Sequence, residues 1–147
     1  MSEQPTLLLP DWPAPSTVGA FVTTRETGPS HGPYAAFNPA LHVGDDPATV
    51  ERCRALLAAQ IEDDRPLLWL DQVHGATVVQ AYQSEFAKMA PKGDASVAFD
   101  KRHACAILTA DCLPVFLCDR RGTRVGLAHA GWRGLAGGVL EASVAAL

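Results

Sequence analysis

The 147-residue sequence has no long apolar run, and nothing in it approaches the roughly 18 consecutive apolar residues that a bilayer-spanning helix needs. The layout of a secretory leader is missing too. MSEQPTLLLPDWPAP has no cationic start, its apolar stretch is confined to Leu7–Leu9, and prolines break up the residues after it. Positive charge is scarce: 12 Lys and Arg against 16 Asp and Glu leave a formal net charge of -4. That balance excludes the basic surface needed to grip nucleic acid phosphates regardless of sequence. Closely spaced cysteine pairs are also lacking. Cys53, Cys105, Cys112 and Cys118 include no Cys-x-x-Cys, so neither a zinc ribbon nor a thioredoxin-like redox pair is encoded. With no export signal, all four are read as thiols in a reducing compartment. These absences describe a soluble, cytoplasmic chain with no nucleic acid or membrane partner, in which any metal site has to recruit histidine.

What is present is a hydrophobic content of 48%, enough for one globular domain with a sizeable core. From Pro10 to Pro39 the chain is rich in Pro, Gly, Ser and Thr, broken only by a β-like run at Val18–Thr24. The segment TRETGPSHGPYAAFNPALHVGDD reads as a long loop, either a substrate-binding loop or a solvated connector. Asp45-Asp46-Pro47 supplies a capping carboxylate and a proline at the first helical position. Val50, Arg54, Leu57 and Ile61 then recur at helical spacing, predicting a helix over about 47–60. Leu67–Leu70 and Ala76–Tyr82 read as strands around the polar break that holds His74. CAILTADCLPVFL reads as strand, break, strand, because Pro114 opposes an uninterrupted central strand. Asp119–Gly122 is a turn, Thr123–Ala128 a further strand, and a helix starts after His129. Its apolar stripe of Leu135, Val139, Leu140, Val144 and Leu147 runs to the last residue with no glycine cap, which predicts a truncated unit. The element pattern predicts an α+β fold, with mixed β-sheets and helices packed outside.

Three predicted strand ends carry His74, Cys112 and His129, each within two residues of a glycine or proline, where the backbone can turn a side chain inward. Imidazole nitrogen and thiolate sulfur are the donors that zinc prefers, and three protein ligands leave a fourth position open for water or substrate, as in catalytic sites. Their spacing matches no short metal-binding pattern. Two satisfied interior histidines and a small buried thiol account for the same residues.

The segments WLDQVHGATVV, ADCLPV and HAGWRG, in this order, resemble the YfiH-type family, known as laccase-domain or multicopper polyphenol oxidase proteins. TTRETG around Arg25, PYAAFNPALHVGDDPATV from Pro33 to Val50, and GDASVAFD from Gly93 to Asp100 extend the likeness through nearly the whole chain. It corresponds to the family's front portion, so residues 1–147 are expected to form a single domain of this type, incomplete at the C-terminus. Two departures stand out. Glu26-Thr27-Gly28 replaces a glycine-valine after Arg25, and Cys53 stands where an asparagine is common.

The resemblance implies zinc held by the histidine of QVHG, the cysteine of ADC and the first histidine of HAGW, which are His74, Cys112 and His129. It implies phosphorolysis of adenosine, guanosine, inosine and methylthioadenosine, with adenosine deamination alongside, so purine nucleosides and phosphate are the expected partners. Some bacterial members resemble a peptidoglycan precursor editing factor, which would make Cys112 a nucleophile and His129 its base. The name promises copper oxidation, and two histidines with a cysteine do describe a blue-copper site, Met89 being a conceivable axial ligand. A laccase needs a multinuclear copper cluster as well. Only His31, His42 and His103 remain for it, which is too few. A non-catalytic binding fragment is a third reading.

Zinc at an open site lowers the pKa of bound water toward about 7, which suits deamination at purine C6. Arg133, at the start of a helix, is a candidate to hold phosphate together with the helix N-terminus, against the alternative of a surface arginine. Asp111 is a candidate general base. Neighbours on a regular strand point to opposite faces, however, so beside Cys112 it reads better as a residue that orients a ligand. Arg25, Asn38 and His42 are candidate substrate contacts from the long loop, although all three could simply satisfy that loop. Tyr34 could stack on a purine. Trp69 and Trp132 read as packing, Cys105 and Cys118 as buried thiols, and His31 and His103 as exposed.

Overall fold

A computed structural model describes residues 3–81 and 89–147. The chain divides into two compact units, one of Met1–Trp12 with Gly19–Asp64 and the other of Pro13–Val18 with Arg65–Leu147.

In the first unit β1 (Leu7–Leu8) pairs antiparallel with β2 (Val22–Thr23). The predicted run Val18–Thr24 thus narrows to the residues that find a partner. Helix α1 spans Pro47–Ala58, and the Asp46 side chain accepts from the Thr49 amide at 2.9 Å and the Thr49 hydroxyl at 2.8 Å. That capping, with proline in the first turn, starts the helix where the sequence placed it. Its buried face is Val50, Cys53 and Leu57. Ile61 lies beyond the helix. The loop before α1 is held by polar side chains. Asp45 accepts from Ser30 Oγ at 3.0 Å and from Asn38 Nδ2 at 3.0 Å, and the Arg54 guanidinium donates to the Pro39 carbonyl at 2.8 Å. The Asn38 bond comes first among the causes that hold the Asp45 carboxyl below its ordinary value.

The second unit contains a short parallel pair, β3 (Leu67–Leu68) with β6 (Ala104–Cys105), and a four-stranded mixed sheet. That sheet runs in the order β4 (Val78–Gln80), β5 (Ala95–Ala98), β8 (Val125–Ala130), β7 (Leu113–Cys118). The β4–β5 pairing is parallel and the other two are antiparallel. β5 is buried at all four residues and β8 at its last five, as expected of strands flanked on both sides. Pro114 lies inside β7, not at a break. β7 is an edge among the described strands, where a missing amide costs no ladder bond. The predicted break falls at residues 106–112 instead. The predicted strand Ala76–Tyr82 is ordered at Val78–Gln80, and Tyr82 lies outside the described residues.

The single C-terminal helix expected from the apolar stripe is two, α2 (Trp132–Ala136) and α3 (Val139–Ala146). Gly137 and Gly138 separate them, and Gly138 has φ 86, a conformation that no α-helix continues through. α3 packs on β8, β4 and β5, with Val139 buried beside Ala95, Ala128 and Ala130. The small side chains of the sheet let the helix sit close. A second cluster of Leu68, Leu70, Ala81 and Ala98, with Cys105 and Ile107 against it, fills the space near β3 and β6. The architecture is α+β, with helices against a mixed sheet. Among the described residues no helix is long and apolar enough to cross a membrane.

Candidate metal centre

His74 sits in the loop between β3 and β4 with φ 60, a left-handed conformation in which histidine is among the few non-glycine residues found with any frequency. Cys112 lies in a bend just before β7, and His129 is in β8 opposite Pro114. The predicted strand Thr123–Ala128 is displaced to Val125–Ala130, so His129 is a strand residue and not the one that follows a strand. Each of the three offers one ligand atom, and these atoms all lie within 4.8 Å of one another. The two imidazole rings meet edge to face, with centroids 4.8 Å apart and planes at 72°. His129 is 4% exposed, Cys112 is half-buried and His74 is exposed. The cluster therefore has a buried floor and an open side.

Asp94, which no sequence signal singled out, stands beneath this cluster. Its side chain is fully buried at 0% exposure. One carboxylate oxygen lies 2.9 Å from His129 Nδ1 and accepts from the His74 amide at 2.8 Å. The other accepts from the Val73 amide at 3.2 Å and the Gly75 amide at 2.7 Å. Burial by itself raises the Asp94 carboxyl. The bonds from His129, Gly75, His74 and Val73 outweigh it and hold the group below its ordinary value.

Gln72 clamps the loop of His74 to the segment that leads to Cys112: its side-chain amide donates to the Leu108 carbonyl at 2.7 Å and accepts from the Leu108 amide at 2.7 Å. Gly131 is required by contact. A Cβ there would fall 2.6 Å from Cys112 Sγ and 3.5 Å from His74 Cδ2. No local signal marks Asp94; for the other two the signals available were a glutamine two residues before His74 and a glycine two residues after His129.

Among the described residues the group that could hold a metal ion contains His74, Cys112 and His129 and none of the other candidates. Asp111 is exposed and lies with Cys112 in the bend, so strand alternation does not govern where the two side chains point. Arg133 is exposed, its guanidinium 5.2 Å from the centroid of the Trp132 ring. Trp132 is 76% exposed and is not the packing residue expected. Trp69 is half-buried. In the first unit, Arg25 donates to the carbonyls of Pro33 and Ala35, and Asn38 bridges Asp45 and the Ala40 amide. His42 is exposed, and Tyr34 donates to the Val43 carbonyl at 2.9 Å. Met89 is 81% exposed, which is unlike a buried axial copper ligand. His31 is exposed as expected. His103 is not: it is half-buried with its Nδ1 shielded from solvent.

Two imidazoles and a thiolate are a donor set that suits zinc and copper alike, and the contact at Gly131 keeps room around the sulfur. Residues 19–147 match the model of the family described as multi-copper polyphenol oxidoreductase laccase. The chain is 54% identical over 140 residues to a purine nucleoside phosphorylase of Pseudomonas aeruginosa, covering 95% of this chain and 55% of that protein. It is 44% identical over 138 residues to the purine nucleoside phosphorylase YfiH of Escherichia coli, covering 94% and 56%. A solved structure of a Neisseria meningitidis protein superposes with a TM-score of 0.88 at 48% identity, covering 95% of this chain and 56% of that one. The chain thus spans about half the length of the relatives it matches. With the histidine, cysteine and histidine of QVHG, ADC and HAGW brought to one cluster and the match running from residue 19 to residue 147, the chain belongs to the multi-copper polyphenol oxidoreductase laccase family.

Proposed function

We propose that the chain carries the metal site of a zinc-dependent purine nucleoside phosphorylase acting on adenosine, inosine, guanosine and methylthioadenosine, with adenosine deamination as an accompanying activity. The observation that carries the reading is the convergence of His74, Cys112 and His129 within 4.8 Å, open on one side. The names of the Pseudomonas and Escherichia relatives support the substrate class.

His74, Cys112 and His129 would hold the ion, which supplies Lewis-acid charge and, for deamination, an activated water. In phosphorolysis a phosphate oxygen bonds to the ribose C1′ as the bond from C1′ to the purine nitrogen breaks, and the base leaves with a proton. Arg133 is assigned to hold the phosphate. α2 is a five-residue helix, so the work falls to the guanidinium more than to a helix dipole. Asp111, exposed in the bend beside Cys112, is assigned as a general base beside the metal, or as a residue that orients one of the histidines. Arg25, Asn38 and His42 are assigned to the nucleoside. Arg25 and Asn38 brace their loop through main-chain carbonyls and Asp45, so their contribution is to the loop's shape as much as to contact.

A second reading draws on a specific observation. Asp94 orients His129, and His129 shares a cluster with Cys112, an arrangement that also describes a cysteine nucleophile with its base and the base's orienting carboxylate. That would suit hydrolytic editing of a peptidoglycan precursor. Product analysis with several purine nucleosides, with and without phosphate, separates the readings. Phosphate-dependent release of free base, lost in strong chelator and in Cys112→Ala, is the expected result. Full activity in chelator overturns the zinc reading in favour of the cysteine hydrolase. Zinc retained with no base release overturns the phosphorylase reading in favour of a non-catalytic metal-binding unit.

A further inference from the structure

We infer that Asp94 is a positioning residue that sets both histidine ligands at once, fixing the tautomer of His129 and the backbone of the loop that presents His74. The inference rests on the metal reading of the site. It assigns a role to a residue outside the ligand set.

The geometry carries it. Asp94 is fully buried, and its two oxygens have three amide donors and one imidazole nitrogen around them. The His74 amide and His129 Nδ1 are on one oxygen, and the Val73 and Gly75 amides are on the other. An ionised carboxylate only accepts, so His129 Nδ1 carries the proton and Nε2 keeps its lone pair for a metal. On the other side of the same group, three consecutive amides turn toward one carboxylate, and the middle one belongs to His74 at φ 60. A residue in that sparsely populated region persists only where its surroundings hold it there, and these three bonds supply the hold. Asp94 is itself locked. Its amide donates to the Thr77 carbonyl at 3.0 Å and its carbonyl accepts from the His129 amide at 2.6 Å. The carboxylate thus lies at the junction of β4, β5 and β8, and one side chain ties the loop ligand to the strand ligand.

Asparagine at this position tests the idea sharply, because neither orientation of its amide suits four donors. With its oxygen toward Val73 and Gly75, its NH2 faces His129 Nδ1. The ring then has to accept there and carry its proton on Nε2, the nitrogen a metal needs.

The experiment is long-range nitrogen–proton NMR on the neutral imidazoles of the metal-free protein and of Asp94→Asn, together with zinc affinity by chelator competition. In the unsubstituted protein His129 is expected as the Nδ1–H form, and in Asp94→Asn as the Nε2–H form. Zinc binding is expected to weaken by about 10–100-fold, the usual cost of losing a carboxylate behind a ligating histidine. An Nε2–H His129 in the unsubstituted protein overturns the inference, and that measurement stands even where Asp94→Asn fails to fold. Equal zinc affinity in the two proteins also overturns it. Failure of the unsubstituted protein to bind zinc is a different result: it removes the metal reading of the site and leaves the tautomer to be judged by NMR alone.

Discussion

At the scale of single residues, the site is a matter of room around one sulfur. Gly131 has φ -79, a value any residue can adopt, so its role is not conformational freedom. It is proximity: the missing side chain would overlap Cys112 Sγ at 2.6 Å. Gly131→Ala is therefore expected to fold, with an unchanged far-ultraviolet dichroism spectrum. Its zinc affinity should fall on the order of tenfold or more, as when other residues that set ligand geometry are lost. Chelator competition checks this, and an unchanged affinity would mean the thiol moves aside freely. His74, Cys112 and His129 were legible as candidates through donor type and through the motifs QVHG, ADC and HAGW, not through their spacing. Asp94 was not. A lone acid before Ala95–Ala98 carries no local sign that three amides of a distant loop and an imidazole of β8 will close around it.

At the scale of elements, the C-terminal break and the β3–β6 pair yield two tests. Gly138 sits at φ 86 with only Glu141 Oε2 near the position of a Cβ, at 3.7 Å, so there is space for alanine but no comfortable backbone. Gly138→Ala should cost about 1–2 kcal/mol, the penalty for an L residue in the left-handed region, seen as a lower urea midpoint. Asparagine there should cost less. In β6, burial pushes the Cys105 thiol up from 9.0 to about 11, against a smaller opposing effect from Ser96. The folded protein holds this proton where the unfolded chain releases it. The stability Cys105 contributes is therefore complete below about pH 9 and is lost as pH rises through about 11. The advantage of the unsubstituted protein over Cys105→Ala should shrink across that window, by at most about 1.4 kcal/mol per pH unit. Urea titrations at several pH values check it, and a constant difference would contradict the shift. Helix α1 was legible to within a few residues because its cap and proline are local. The strands were legible as runs but not in extent, because a strand ends where its partner ends.

At the scale of the whole molecule, metal and stability are linked. A ligand that binds only the folded chain stabilises it by about 2.7 kcal/mol at a hundredfold excess over its dissociation constant. Zinc is therefore expected to raise the thermal midpoint, chelator to reverse the rise, and Cys112→Ala to abolish it. A midpoint indifferent to zinc would contradict a metal held by His74, Cys112 and His129.

By itself, the sequence determined the donor chemistry, the helix after Asp46-Pro47 and the resemblance to a family. These are local properties, written in residue type and short spacing. Only the tertiary structure decided that the donors meet. That depends on β8 pairing between β5 and β7 in the register that sets His129 opposite Pro114, on the Gln72 clamp to Leu108, and on Asp94 closing the loop of His74 against the sheet. Apart from the β7–β8 hairpin, each joins segments far apart in the chain. Such pairings are chosen by the packing of the whole sheet, and no periodicity within any one segment records them.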